Sequence, residues 1–218
     1  MRPDTVGLVT GGAALIAVAL PGSWRVARNV ITIVHEAGHA LAAVLVGRRL
    51  HGIRLHSDTS GLTVSRGRHG GPGMVCTTLA GYPAPSLLGL AFAGLVAADL
   101  AIAPLVASAV LLTGVLIMVR NAYGVLSVLV TAAVLVTVSS LGSPATQAGF
   151  AQLIAWFLLF GGLRPIAELQ RQRWRGHARY SDADQLARLT GAPGAFWVGA
   201  FALIGTATLA VAAGWLLA

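Results

Sequence analysis

Val34-His35-Glu36-Ala37-Gly38-His39-Ala40 is an HExxH stretch set inside an apolar run. On a helix, residues four apart share a face, so His35 and His39 present two imidazoles side by side. That is the spacing with which one helix supplies two ligands to a single Zn²⁺. Glu36 stands one residue on, displaced from the pair yet close to the same point. A carboxylate there can take a proton from an attacking water and return it to a leaving amine. Glu is scarce in this chain, and a chance HExxH is expected in roughly one of 10³ chains of such composition. The competing reading is a pair of buried histidines satisfied by hydrogen bonds, with Glu36 pairing one of them. Three ionisable groups within one turn of a membrane helix are costly, which favours a function.

The surroundings are those of a membrane. Of 218 residues, 56% are hydrophobic and 10% charged, and the mean hydropathy is +0.78. Ordinary soluble domains carry about 25% charged residues. The net charge is +8 and every basic side chain is Arg. The arginines fall between apolar runs, so lipid headgroups and topology explain them better than nucleic acid does. A single cysteine, Cys76, excludes an intrachain disulfide and any Cys-rich metal site.

Apolar runs place helices near residues 6–21, 29–47, 74–98, 100–119, 122–140, 150–163 and 194–217. The first is read as a retained helix rather than a cleaved leader. The break Gly81-Tyr82-Pro83-Ala84-Pro85 predicts a kinked or partly unwound third helix. Alternation across residues 50–66, around Ser57-Asp58-Thr59-Ser60-Gly61, predicts a β-hairpin, with a plain interfacial loop as the alternative. The expected fold is an all-α polytopic membrane protein, about seven transmembrane helices with a short β-hairpin after the HExxH helix, forming one domain over 1–218. With seven spans and the N-terminus inside, thirteen Arg lie inside and only Arg25 and Arg28 outside. The positive-inside rule then puts the N-terminus and the polar loops 48–73 and 164–193 in the cytoplasm, and the C-terminus outside.

A catalytic zinc site needs a third protein ligand and an open position. Asp58 belongs to the hairpin turn, Asp99 to the outer side, and Glu168 sits among arginines that pair it. Asp4 is at the terminus. Asp182 and Asp184, in Tyr180-Ser181-Asp182-Ala183-Asp184-Gln185-Leu186, share the side of the HExxH helix mouth. Asp182 leads as third ligand and Asp184 is the alternative. Against both stands a structural role, since Ser181 or Asp182 can cap a short helix running through Leu189. His51, His56, His69 and His177 are lesser candidates.

Together, the HEAGHA stretch, the segment His56–Thr63, Ala80-Gly81-Tyr82, Ser181-Asp182-Ala183 and Leu189-Thr190-Gly191 resemble the site-2-protease-like intramembrane metallopeptidases, in their bacterial branch without a PDZ domain. The likeness runs from about residue 30 to 197. It implies a Zn²⁺ held by two His and one Asp, with His35 and His39 as ligands and Glu36 as the base. It implies hydrolysis of membrane-protein or peptide substrates within the lipid bilayer of a bacterial plasma membrane, with no nucleic acid partner. A catalytically silent scaffold, and a transporter whose path is lined by His35, Glu36 and His39, are the competing functions. A transporter is expected to show paired broken helices in related halves, and only one clear break is visible.

Overall fold

The computed structural model describes residues 3–176 and 181–218. Chain order is α1 (Pro3–Ala19), α2 (Pro21–Leu45), β1 (Arg49–Leu55), β2 (Gly61–Arg66), α3 (Pro72–Leu79), α4 (Pro83–Ala97), α5 (Ile102–Met118), α6 (Ala122–Leu141), α7 (Pro144–Trp174), α8 (Asp182–Thr190) and α9 (Gly194–Leu216). The chain is mostly helical with one antiparallel hairpin, as the pattern predicts.

α1, α4, α7 and α9 pack lengthwise through small residues. A Cβ on Gly162 of α7 would stand 3.1 Å from the Ser86 backbone nitrogen of α4, and one on Gly89 of α4 would stand 2.9 Å from Leu159. The two backbones therefore run nearly in contact, as glycine-lined membrane helices do. A Cβ on Gly11 of α1 would stand 3.3 Å from the Trp156 indole, and Gln152 donates to the Leu216 carbonyl at 3.1 Å. α1 thus runs parallel to α7, with α4 and α9 antiparallel to both. Around them Ala14, Phe92, Ala93, Ala155, Trp156 and Leu159 form the main core.

The seven-span expectation is not reached. α6, α7 and α9 are long and apolar enough to cross a membrane, and counting each bent pair as one broken span raises the number to 5. The runs 6–21 and 29–47 become the limbs of a pair bent by 99°. The second limb starts at Pro21, whose missing N–H suits a first helical turn, so α2 takes in Arg25 and Arg28. Run 74–98 breaks into α3 and α4, bent by 65°, at the predicted Gly81–Pro83 point. Run 100–119 yields a helix of only 17 residues. Run 150–163 is the middle of a 31-residue helix that continues through Pro165.

The charge count changes with the span count. Arg28 of α2 reaches Glu168 of α7 at 3.4 Å, so Arg28 and the 164–193 segment share one level of the molecule rather than opposite faces. Gly7 lies against the Leu216 carbonyl, so α1 begins where α9 ends. This does not accommodate an N-terminus and a C-terminus on opposite faces.

The hairpin is held on both sides. Pairing runs from Arg49↔Arg66 to Leu55↔Gly61, with a bulge between Leu50 and Gly52. At its tip Asp58 Oδ1 accepts from the Ser60 N–H at 2.9 Å and the Ser60 hydroxyl at 2.6 Å, and Thr59 takes φ 66°. The Ser60 hydroxyl first, then its N–H, hold the Asp58 carboxyl below the usual range. The outer edge of β1 meets the α5–α6 turn: the Arg120 N–H donates to Ile53 O at 2.9 Å, and the Asn121 amide donates to Leu55 O at 2.7 Å. The outer edge of β2 has no strand partner among the described residues.

Candidate metal centre

α2 aims His35 and His39 at one point: their Nε2 atoms are 3.0 Å apart. Asp182 Oδ2, from the first residue of α8, lies 3.2 Å from each. Atoms bonded at about 2.0–2.1 Å to one tetrahedral zinc stand about 3.3 Å from each other. The three atoms therefore have the spacing of a ligand set, and among the described residues these three side chains form the group able to hold a metal ion.

The tautomer agrees. His39 Nδ1 is 2.7 Å from the Thr77 carbonyl of α3. A carbonyl only accepts, so Nδ1 carries a proton and Nε2 is the nitrogen left to face a metal. A backbone carbonyl on the far nitrogen is how metal-binding histidines are oriented. Asp182 Oδ2 is buried with no donor aligned on it, a costly state for a carboxylate oxygen unless a cation shares the site. Burial pushes the Asp182 carboxyl up, but the adjacent His39 and His35 outweigh it and hold the group well below the usual carboxylate range. Gly81 leaves the needed room: a Cβ there would crowd both rings, 2.6 Å from His35 Nε2. The donor set, its spacing and this space all fit Zn²⁺.

Further contacts fix the rings. His35 meets the edges of His39 and Tyr82 at centroid separations of 4.6 and 4.9 Å, and Tyr82 stacks on Phe201 of α9 at 5.0 Å. Gly38 permits the α2–α3 approach, since a Cβ on it would stand 2.8 Å from Ala80 O.

Glu36 is 4% exposed and lies beside the cluster rather than within it. Its Oε2 accepts from the Thr63 hydroxyl of β2 at 2.6 Å. Gly61 lies flat against the same carboxyl, where a Cβ would come within 2.5 Å of Oε1. The hairpin thus roofs Glu36 with a glycine and a hydroxyl.

Asp184 does not reach the imidazoles. It pairs with Arg173 of α7 and accepts from the Ser181 hydroxyl at 2.6 Å. Ser181, not Asp182, caps α8, accepting from the Asp184 N–H at 3.3 Å. Burial raises the Asp184 carboxyl, yet Ser181 and Arg173 bring it below the usual range. Glu168 is occupied by Trp24 Nε1 at 3.0 Å and by Arg164 at 3.1 Å. Asp58 stays in its turn and Asp99 follows α4. His51 and His69 are exposed, and His56 faces Ser60. His177 and the Asp4 side chain lie outside the described residues. Sequence reasoning missed Thr63, Thr77 and Gly61 as parts of the site. Nothing local marks a threonine that bonds a residue on another element.

A largely helical chain with apolar membrane-length helices and a half-buried His-His-Asp cluster beside a glutamate defines the class of membrane-embedded metallopeptidase-like proteins. The family described as Peptidase M50B-like matches residues 8–212, nearly the full length, and the chain belongs to it. No curated protein and no solved structure matches it.

Proposed function

We propose that the chain is an intramembrane zinc endopeptidase that hydrolyses peptide bonds of membrane-protein substrates. The observation that carries this reading is the convergence of His35 Nε2, His39 Nε2 and Asp182 Oδ2 beside the Glu36 carboxylate. Zn²⁺, when bound by these three residues, supplies Lewis-acid polarisation of a carbonyl and a water made acidic enough to lose a proton near neutral pH. Glu36 would accept a proton from the attacking water and deliver it to the leaving amine. Thr63 keeps the carboxylate aimed, and Gly61 lets the hairpin close over it. The unpaired edge of β2 offers N–H and C=O groups to an extended substrate segment, which orients the scissile bond across the cluster.

The family supports peptidase activity more than a silent scaffold or a transporter. Arginines crowd the hairpin, the α5–α6 turn and the end of α7. On the positive-inside rule we place this end, and the site with it, on the cytoplasmic side of a bacterial plasma membrane.

The test is metal content and cleavage of a reporter membrane helix by purified protein. Glu36→Gln should keep zinc and lose turnover by about 10²–10⁴ or more. Asp182→Ala should lose both zinc and turnover. Full-affinity zinc in Asp182→Ala removes that residue from the site, and unimpaired cleavage by Glu36→Gln overturns the mechanism.

A further inference from the structure

β2 is inside out, whereas β1 buries Ile53 and Leu55. On β2, Gly61, Thr63 and Ser65 turn towards the molecule while Leu62 and Val64 remain 52% and 41% exposed. A soluble hairpin of this length would bury the aliphatic residues and expose the hydroxyls. The inward residues of β2 are small or polar where two of them, Gly61 and Thr63, meet Glu36. The outward face must then be solvated by something other than water alone.

Cross-strand pairing places Arg54 opposite Leu62 and Gly52 opposite Val64. Gly52, at φ 153°, carries no side chain, and Arg120 from the α5–α6 turn lies across it, its Cγ 2.5 Å from where a Cβ would stand. His51, Arg54, Leu62, Val64 and Arg120 line a shallow cavity of about 180 Å³. No carboxylate lines it. Arg54 has no hydrogen-bond or ion-pair partner among the described residues. Arg120 spends one guanidinium nitrogen on Ile117 O at 2.6 Å and Val119 O at 3.1 Å, and the other guanidinium nitrogens are unbonded among the described residues.

Arg120 also sets the depth of this face. It sits in the three-residue turn between apolar α5 and α6, which puts it at the boundary between hydrocarbon and headgroups. Two guanidinium groups flanking two aliphatic side chains at that level match a phosphodiester with the start of its acyl chains.

We propose that this outer hairpin face binds the headgroup of an anionic phospholipid, with Arg54 and Arg120 on the phosphate and Leu62 and Val64 against the glycerol-proximal chains. The same strand carries Thr63 on its inner face, so the bound lipid steadies the roof over Glu36. The binding claim is independent of the hydrolytic reading and is tested without turnover.

The full chain, purified in detergent, is titrated with dioleoyl phosphatidylglycerol or dioleoyl phosphatidylcholine, and retained lipid is counted by native mass spectrometry. Wild type should retain one phosphatidylglycerol in preference to phosphatidylcholine, less so at high salt. Arg54→Gln/Arg120→Gln should weaken phosphatidylglycerol about 30-fold. Arg54→Gln alone removes no contact within the protein and should still weaken it about fivefold. Leu62→Ser/Val64→Ser should weaken both lipids. Equal retention of the two lipids by wild type, or undiminished phosphatidylglycerol binding in Arg54→Gln, overturns the proposal. Release of the lipid by excess inorganic phosphate would make the site one for soluble anions and overturn it as well.

Discussion

At the scale of single residues, the site depends as much on missing side chains as on present ones. Gly81→Ala puts a methyl carbon 2.6 Å from His35 Nε2 and as close to His39, in the space between the ligand atoms. It should cut zinc affinity by at least about 100-fold, measured by metal titration, with the protein still folded. Thr63→Val keeps the shape but leaves the Glu36 carboxylate short of its hydroxyl donor. A hydrogen bond to a charged group contributes about 1.5–3 kcal/mol. Turnover should therefore fall about tenfold or more while zinc binding stays intact and KM barely moves. A fall in zinc instead would reassign Thr63 to holding the metal ligands. The His35–Glu36–His39 triplet was legible because its chemistry is written in one helical turn. Thr63 and Thr77 were not, because what they bond is decided by how separate elements pack.

At the scale of elements, α8 explains why Asp182 and not Asp184 faces the imidazoles. Ser181 starts the helix and Arg173 of α7 pins Asp184, which turns the preceding acidic residue inward. The sequence put Asp182 ahead of Asp184 as third ligand but did not show which of them turns inward, a difference of two helical steps, about 200°. Asp184→Ala should weaken zinc about tenfold without removing a ligand, whereas Asp182→Ala should abolish tight binding. Acid gives a second readout. A carboxyl held below its ordinary value stabilises the fold above the unfolded pKa of about 3.9 and loses that contribution as pH falls through it towards the folded value. Protection of residues 182–190 in hydrogen exchange should fall over that range in wild type. In Asp184→Ala it should already be low at neutral pH.

At the scale of the molecule, the glycine contacts between α4 and α7 carry the frame. Gly162→Val would push α4 away through the Ser86 backbone and should cost about 1–3 kcal/mol, seen as a lower melting temperature. Ser86→Ala should cost nothing or stabilise slightly, because the Ser86 hydroxyl is fully buried with no partner. Hydropathy made the helical membrane class and the Gly81–Pro83 break readable. The number of crossings was not readable, since a run of apolar residues does not say whether its helix turns through 99° or emerges from the bilayer. One consequence follows for the making of the protein. His35 and His39 leave the ribosome roughly 140 residues before Asp182, a delay of roughly 7–28 s at 5–20 residues per second. Through that interval the nascent chain has two imidazoles and no third oxygen, so under the proposed metal centre it would be inert towards its own half-inserted helices. On the proposed function, peptidase activity would start only after the scaffold that confines it is in place.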